Sequence, residues 1–277
     1  MADFAAPGVV LRYETIGEGK VPLVLLNGIA MSISHWRPVA EALGGDYRIL
    51  CHDFRGQTLS GKPEGPYGFD LHARDLSFLM RSEDLGKGGF GPAHIVGTSY
   101  GAEVAIAFAA AYPELCLSLT LIDGVSELDP LLRAAAESWL AAAQAGPRVF
   151  YKTLIPWNYS PAYIAANEGT LRAREEGMAK LPGEWFKGFS LLCEAFLRID
   201  LTPVLKDIAC PTLVIVGELD ILKGLRFAVK LKEGIRGSSL RVLPGAGHAV
   251  AVEMPGRIAG EIREFISGLG GRDGETR

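Results

Sequence analysis

Short apolar runs rich in branched residues, closed by Gly, Asn or Asp, recur along this chain, and most are followed by a stretch with helical spacing. That alternation predicts βαβ units and a parallel sheet. Strands are expected over 9–16 and 21–26, and the second, Val21-Pro22-Leu23-Val24-Leu25-Leu26, is continuous enough to be buried on both faces before it stops at Asn27-Gly28. A helix over 36–43, a strand over 47–51 ending near Asp53 and a helix over 70–85 follow. Next come a strand over 92–96, an Ala-rich helix over 100–112 stopped by Pro113, and a strand over 116–122. The pattern then changes. Residues 126–205 hold no strand-like run, only helical stretches such as 131–145 and 185–199, and read as an insertion. Alternation resumes with a strand over 212–216, a helix over 221–232, a strand over 240–243 and an amphipathic helix over 255–269. The polar tail 270–277 is expected to be mobile.

Composition excludes several partners. With 277 residues, 48% of them hydrophobic, the chain can bury a full core without metal or disulfide support. Its 28 Lys+Arg against 32 Asp+Glu give a net charge of −4, and no basic run offers the footprint that a phosphate backbone needs. Nucleic acid is not an expected partner. No 18 consecutive apolar residues occur and the N-terminus has no charged segment leading into an apolar one, so no membrane span and a cytoplasmic location are expected. The cysteines at 51, 116, 193 and 210 form no C-x-x-C pair and are expected to be reduced thiols. In the glycine-rich stretch 86–91, Lys87 is not followed by Ser or Thr, so a phosphate cradle is not expected there.

One segment carries chemistry. In Gly97-Thr98-Ser99-Tyr100-Gly101 the serine falls where a strand meets a helix, and flanking glycines remove the Cβ atoms that would obstruct so sharp a turn. A serine hydroxyl becomes a useful nucleophile when a base takes its proton and a third group orients the base. His248, in Pro244-Gly245-Ala246-Gly247-His248, follows the last expected strand, where an open parallel sheet places its ligands. His35, His52, His72 and His94 read as structural. For the acid, Asp220 in Gly217-Glu218-Leu219-Asp220 is the first choice, Glu218 the second, and Asp123 a separate site at the end of the strand before the insertion. Acyl chemistry also needs donors where negative charge develops. The backbone N–H groups of Tyr100 and Ile29 are the candidates, with Gly28 letting the loop turn.

Asn27-Gly28, Trp36, Asp53-Phe54-Arg55-Gly56, the Ser99 pentapeptide, Gly217-Glu218-Leu219-Asp220 and Gly245-Ala246-Gly247-His248, in that order, resemble the α/β-hydrolase superfamily from about residue 9 to 269. The resemblance implies an eight-stranded, mostly parallel sheet flanked by helices, with a core at 1–125 and 206–277 and a helical cap at 126–205. It implies Ser99 as nucleophile, His248 as base then acid, Asp220 as orienting acid, Ile29 and Tyr100 as oxyanion donors, and no metal or organic cofactor. Three positions depart from the usual pattern: Asn27 replaces a histidine, Thr58 replaces a glycine in the loop at 55–60, and Glu103 stands where an apolar residue is commoner. A salt-bridged helix residue is the expected reading of Glu103.

The resulting expectation is a serine hydrolase that cleaves carboxylic esters or lactones of moderately hydrophobic small molecules through an acyl-enzyme. Asn27, Gly28 and Trp157 are expected to contact substrate, Trp157 as one of two or three among many aromatics in the insertion. Asn27-Gly28 is also reminiscent of acyltransferases, so an acyltransferase or thioesterase acting on acyl carrier protein or coenzyme A esters is the second reading. A non-catalytic receptor on the same fold is the third. Oligomeric state is not legible.

Overall fold

The structure is a computed structural model and describes residues 1–270. The tail expected to be mobile lies outside the described residues, apart from Gly270. Among the described residues one sheet has eight strands: β1 (Ala2–Ala6), β2 (Val9–Ile16), β3 (Val21–Leu26), β4 (Tyr47–His52), β5 (Ala93–Thr98), β6 (Cys116–Ile122), β7 (Thr212–Gly217) and β8 (Ser239–Leu243). Their spatial order is β1-β2-β4-β3-β5-β6-β7-β8. Only β1 with β2 and β2 with β4 pair antiparallel; the others run parallel. β1 was not expected from the sequence. It is a largely exposed edge strand whose first four residues contribute little to the core, so it carries a weak apolar pattern.

The helices are α1 (Arg37–Leu43), α2 (Phe69–Arg81), α3 (Tyr100–Ala111), α4 (Pro130–Ala145), α5 (Pro147–Asn158), α6 (Pro161–Ala166), α7 (Glu168–Met178), α8 (Gly183–Leu197), α9 (Leu225–Gly234), α10 (Val250–Glu253) and α11 (Pro255–Gly270). The helix expected over 70–85 ends earlier, at Arg81. Ser82 then leaves helical geometry and accepts the Asp84 N–H to start a short 3-10 turn. None of the described helices is long and apolar enough to cross a membrane.

Side chains of both sheet faces explain the layering. Val24 and Leu26 pack with α2, α3 and α9, whereas Leu23 and Leu25 pack with α1 and α11. A strand whose successive residues are all apolar is therefore covered on both sides. Helices α4 to α8 all fall between β6 and β7, and their buried Trp139, Phe150, Trp185 and Phe189 join the same cluster as α2 and α3. Local signals set their ends: Asp129 caps α4 by accepting the Leu132 N–H with Pro130 behind it, Gly146 at φ 123° separates α4 from α5, and Ser160 caps α6 ahead of Pro161.

One buried ion pair ties the loop after β4 to α2. Arg55 presents two N–H groups to Asp75 at 2.6 and 2.7 Å, and both side chains are almost wholly removed from solvent. Removing one partner strands the other charge inside the protein. Asp75→Ala is expected to cost about 3–5 kcal/mol, read as a fall in the urea midpoint without a change in slope, whereas a loss below about 1 kcal/mol would show the pair to be dispensable.

Candidate active site

The turn between β5 and α3 places Ser99 at φ 52° and ψ −118°, a left-handed backbone conformation that non-glycine residues rarely adopt. A Cβ on Gly97 would stand 2.1 Å from the Gly101 carbonyl oxygen, and one on Gly101 would stand 2.2 Å from that of Leu26. Both positions therefore require glycine. The Ser99 N–H donates to Ile122 O at 2.8 Å, pinning the turn to the end of β6.

Ser99, His248 and Asp220 are hydrogen-bonded in series. His248 Nε2 lies 2.9 Å from Ser99 Oγ, and Nδ1 lies 2.8 Å from Asp220 Oδ2. A carboxylate only accepts, so Nδ1 carries the proton and Nε2 is left to accept from the serine. The other Asp220 oxygen accepts the Leu222 and Lys223 N–H groups, each at 2.8 Å. Burial opposes ionisation of Asp220, but His248 and these N–H groups outweigh it and hold the carboxyl below its ordinary range. Such a relay can draw the hydroxyl proton from Ser99 and return it to a departing group.

Asp123 stands beside this relay without joining it. Burial and the neighbouring Asp220 charge push its carboxyl well above the ordinary range. One oxygen accepts the Gly217 N–H at 2.9 Å, fixing the end of β7. Asp123, Asp220 and His248 offer ligand atoms within 4.8 Å of one another, as a small metal site would, yet the His248 and Asp220 atoms are committed to each other. Glu218 points elsewhere, accepting the Gly245 N–H. Glu103 is salt-bridged as expected, to Lys223 at 2.8 Å with both groups buried, and it accepts the Val125 N–H. The pair anchors the loop that carries Asp220 to the helix that follows Ser99.

The loop after β3 brings Gly28 against the serine, where an added Cβ would lie 3.6 Å from Ser99 Cβ. Gln57 orients it. Its amide donates to the carbonyls of Gly28 at 2.8 Å and Ile29 at 3.1 Å. In a trans peptide the N–H opposes the carbonyl, so drawing Gly28 O toward Gln57 turns the Ile29 N–H away from it. Tyr100 opens α3, and its N–H has no partner within the helix. Nothing in the sequence marked Gln57. Asn27, expected to contact substrate, is fully buried beneath the loop instead. It donates to His52 O, Asp53 Oδ1 and Gln57 Oε1 and accepts from Trp36 Nε1 at 2.9 Å. Thr58 takes φ 28°, the left-handed backbone that the usual glycine would supply, and its hydroxyl donates to Asp53.

Ser99 and His248 open into a cavity of roughly 400 Å³ with a mostly apolar lining. The insertion supplies its far wall through Trp139, Tyr151, Leu154, Ile155, Tyr159 and Trp185. Trp157 is not part of that wall. Helical spacing puts Leu154, Ile155 and Asn158 of α5 on the cavity side and leaves Trp157 half-buried against the edge of the core. His52 and His72 are buried, and burial lowers their affinity for protons to about 4 and about 3; His94 is likewise lowered. His35, read from sequence as structural, lines the cavity.

With this fold and geometry established, the sequence matches the alpha/beta hydrolase family over residues 23–261. The chain belongs to that family, as a hydrolytic enzyme. It is 30% identical to a RutD protein of Azorhizobium caulinodans whose name proposes carbamate hydrolysis, over 88% of this chain and 90% of that one. It is 27% identical to 3-oxoadipate enol-lactonase 2 of Acinetobacter baylyi, over 90% of each chain. Among solved structures, MGS-M2, an alpha/beta hydrolase enzyme from a Medee basin deep-sea metagenome library, aligns with a TM-score of 0.88 at 28% identity, over 96% of this chain and 97% of that one.

The two acids are separable by experiment. Asp220→Asn leaves His248 with the wrong tautomer and is expected to lower kcat by about 10⁴-fold, whereas Asp123→Asn changes a carboxyl that makes no hydrogen bond to His248 and should stay within about threefold. Equal losses in kcat on p-nitrophenyl butyrate at pH 7 would contradict the assignment.

Proposed function

We propose that this protein is a serine hydrolase that cleaves carboxylic esters or lactones of moderately hydrophobic small molecules. One observation carries the reading: an aligned Ser99, His248 and Asp220 at 2.9 and 2.8 Å opens onto an apolar cavity. In this reading the three form a catalytic triad. Ser99 Oγ attacks the substrate carbonyl while His248 Nε2 takes its proton, and the negative oxygen is received by the N–H groups of Ile29 and Tyr100 as an oxyanion hole. His248 then protonates the leaving alcohol, and a water activated by the same nitrogen releases the acid from Ser99. Asp220 steadies the imidazolium in both steps. Residues 126–205 serve as a cap over the nucleophile, with 1–125 and 206–270 as the core. Support for the cap role comes from the share of the cavity wall that α4, α5, α7 and α8 provide.

Cavity size favours hydrolysis of a small molecule over transfer from a carrier protein. At roughly 400 Å³ it sits at the small end of ligand cavities, about 300–1,000 Å³. Of the basic residues in the insertion, Arg172 is paired with Glu168 and Arg174 faces the cavity. Release of p-nitrophenol from esters running from acetate to laurate tests the reading. Turnover should peak at short or medium acyl length and fall at least about 10³-fold in Ser99→Ala. Activity that persists in Ser99→Ala would refute the assigned nucleophile. Ile155→Ala, on the cavity wall, should shift the preferred acyl length, and Trp157→Ala should leave it where it was; the reverse pattern would refute the assigned lining.

A further inference from the structure

Arg174 is the feature of the cavity that ester cleavage does not use. It comes from α7, is half-buried, and lines the same cavity as Ser99 and His248. Among the described residues no carboxylate lies within ion-pairing distance of it. Its neighbour Glu175 is engaged with Arg148 and Lys152, and Arg172 takes Glu168. One guanidinium N–H donates to the Tyr159 hydroxyl at 3.0 Å, and that ring stacks on Tyr163, so the group is held in place by a neutral partner. A cation kept in a mostly apolar cavity without a counter-ion is costly unless a ligand supplies the charge.

Its surroundings offer further donors, and among the described residues no acidic side chain lines the cavity. Tyr151 lines the cavity, and its hydroxyl has no hydrogen-bond partner among the described residues; the same holds for the Trp139 indole N–H. His35 accepts the Ser32 N–H on Nδ1 at 3.1 Å, which leaves its proton on Nε2 as another donor. Burial, and then the Arg174 charge, lower the affinity of His35 for protons. The segment holding Tyr159 packs directly over the histidine loop, since the Ala249 N–H donates to Asn158 O at 2.7 Å and a Cβ on Gly247 would meet Tyr159 at 2.9 Å. The guanidinium's anchor is thus docked against the loop that carries His248.

We propose that Arg174 is a specificity-determining residue that binds a carboxylate on the substrate, so that the preferred esters or lactones are monoanions with an apolar middle. A guanidinium presents two parallel N–H groups that match a carboxylate, and within a mostly apolar cavity that match discriminates against a neutral analogue. The inference rests on the ester-cleaving reading above and narrows its substrate class. The carboxylate can sit on the acyl or on the alcohol portion, and the two are distinguished by substrate design.

The test compares kcat/KM for matched pairs. On the acyl side, p-nitrophenyl hydrogen glutarate is set against p-nitrophenyl pentanoate. On the alcohol side, the butanoate ester of 3-hydroxypropanoate is set against propyl butanoate, followed by pH-stat. Wild type should prefer the anionic member of one pair by about 10- to 100-fold, mostly through KM. Arg174→Met should bring that ratio close to one, Arg174→Lys should restore part of it, and Arg172→Met, on an exposed pair, should leave it unchanged. No preference in either pair, or one that survives Arg174→Met in a protein with wild-type circular dichroism, overturns the proposal. Should wild type cleave none of the four esters, the ester-cleaving reading fails by itself. Calorimetric titration of Ser99→Ala with glutarate then decides the anion site: saturable binding that Arg174→Met abolishes supports it, and no binding overturns it.

Discussion

Everything in the site hangs on a backbone that Ser99 holds at φ 52°, in a region costing of order 1–3 kcal/mol for a residue with a side chain. The surroundings over-determine it. Gly97 and Gly101 let three chain segments approach more closely than any Cβ allows, and Ile122 O holds the serine N–H. Because β5 lies between β3 and β6, the strained turn is flanked by the loop after β3 and by the end of β6. The parallel sheet is therefore what brings the Gly28 loop, the Ser99 turn and the loops bearing Asp220 and His248 to one edge.

Polar groups buried below that edge hold the loops still. Asn27 joins Trp36, His52, Asp53 and Gln57, and Gln57 in turn fixes the two carbonyls of the Gly28 loop. On the other side, Glu103 and Lys223 clamp the Asp220 loop to α3, and Asp123 clamps the end of β7. Each side chain bonds at least one specific neighbour, so the network fixes one arrangement of the loops rather than adding apolar stability. Donors and acceptors at the reacting end are thereby preorganised, which is where electrostatic stabilisation is most effective.

The sheet was legible because strands buried on both faces read as unbroken apolar runs, and each ended in the Gly, Asn or Asp of a functional loop. β1 was missed because an exposed edge strand has little apolar content to read. That Ser99, His248 and Asp220 would meet was legible because the nucleophile, base and acid roles proposed for them each need a distinct local setting. The sequence alone left Asp123 and Glu218 open as the acid, since only the distance to His248 Nδ1 separates them. Gln57, Asn27 and Trp157 escaped or misled for a common reason. Their roles depend on contacts with residues distant in the chain, or on which side of a helix faces the cavity, and neither is encoded in local spacing. His35 and Arg174 were likewise visible as residue types and invisible as cavity walls.

Under the proposed function, chemistry passes through Ser99 Oγ, activated by His248. Labelling with a fluorophosphonate, followed by digestion and peptide mapping by mass spectrometry, reads this directly. A single adduct on Ser99 is expected, formed at a rate that falls sharply in His248→Ala. An adduct on another residue, or labelling of Ser99 that proceeds equally fast without His248, would contradict it.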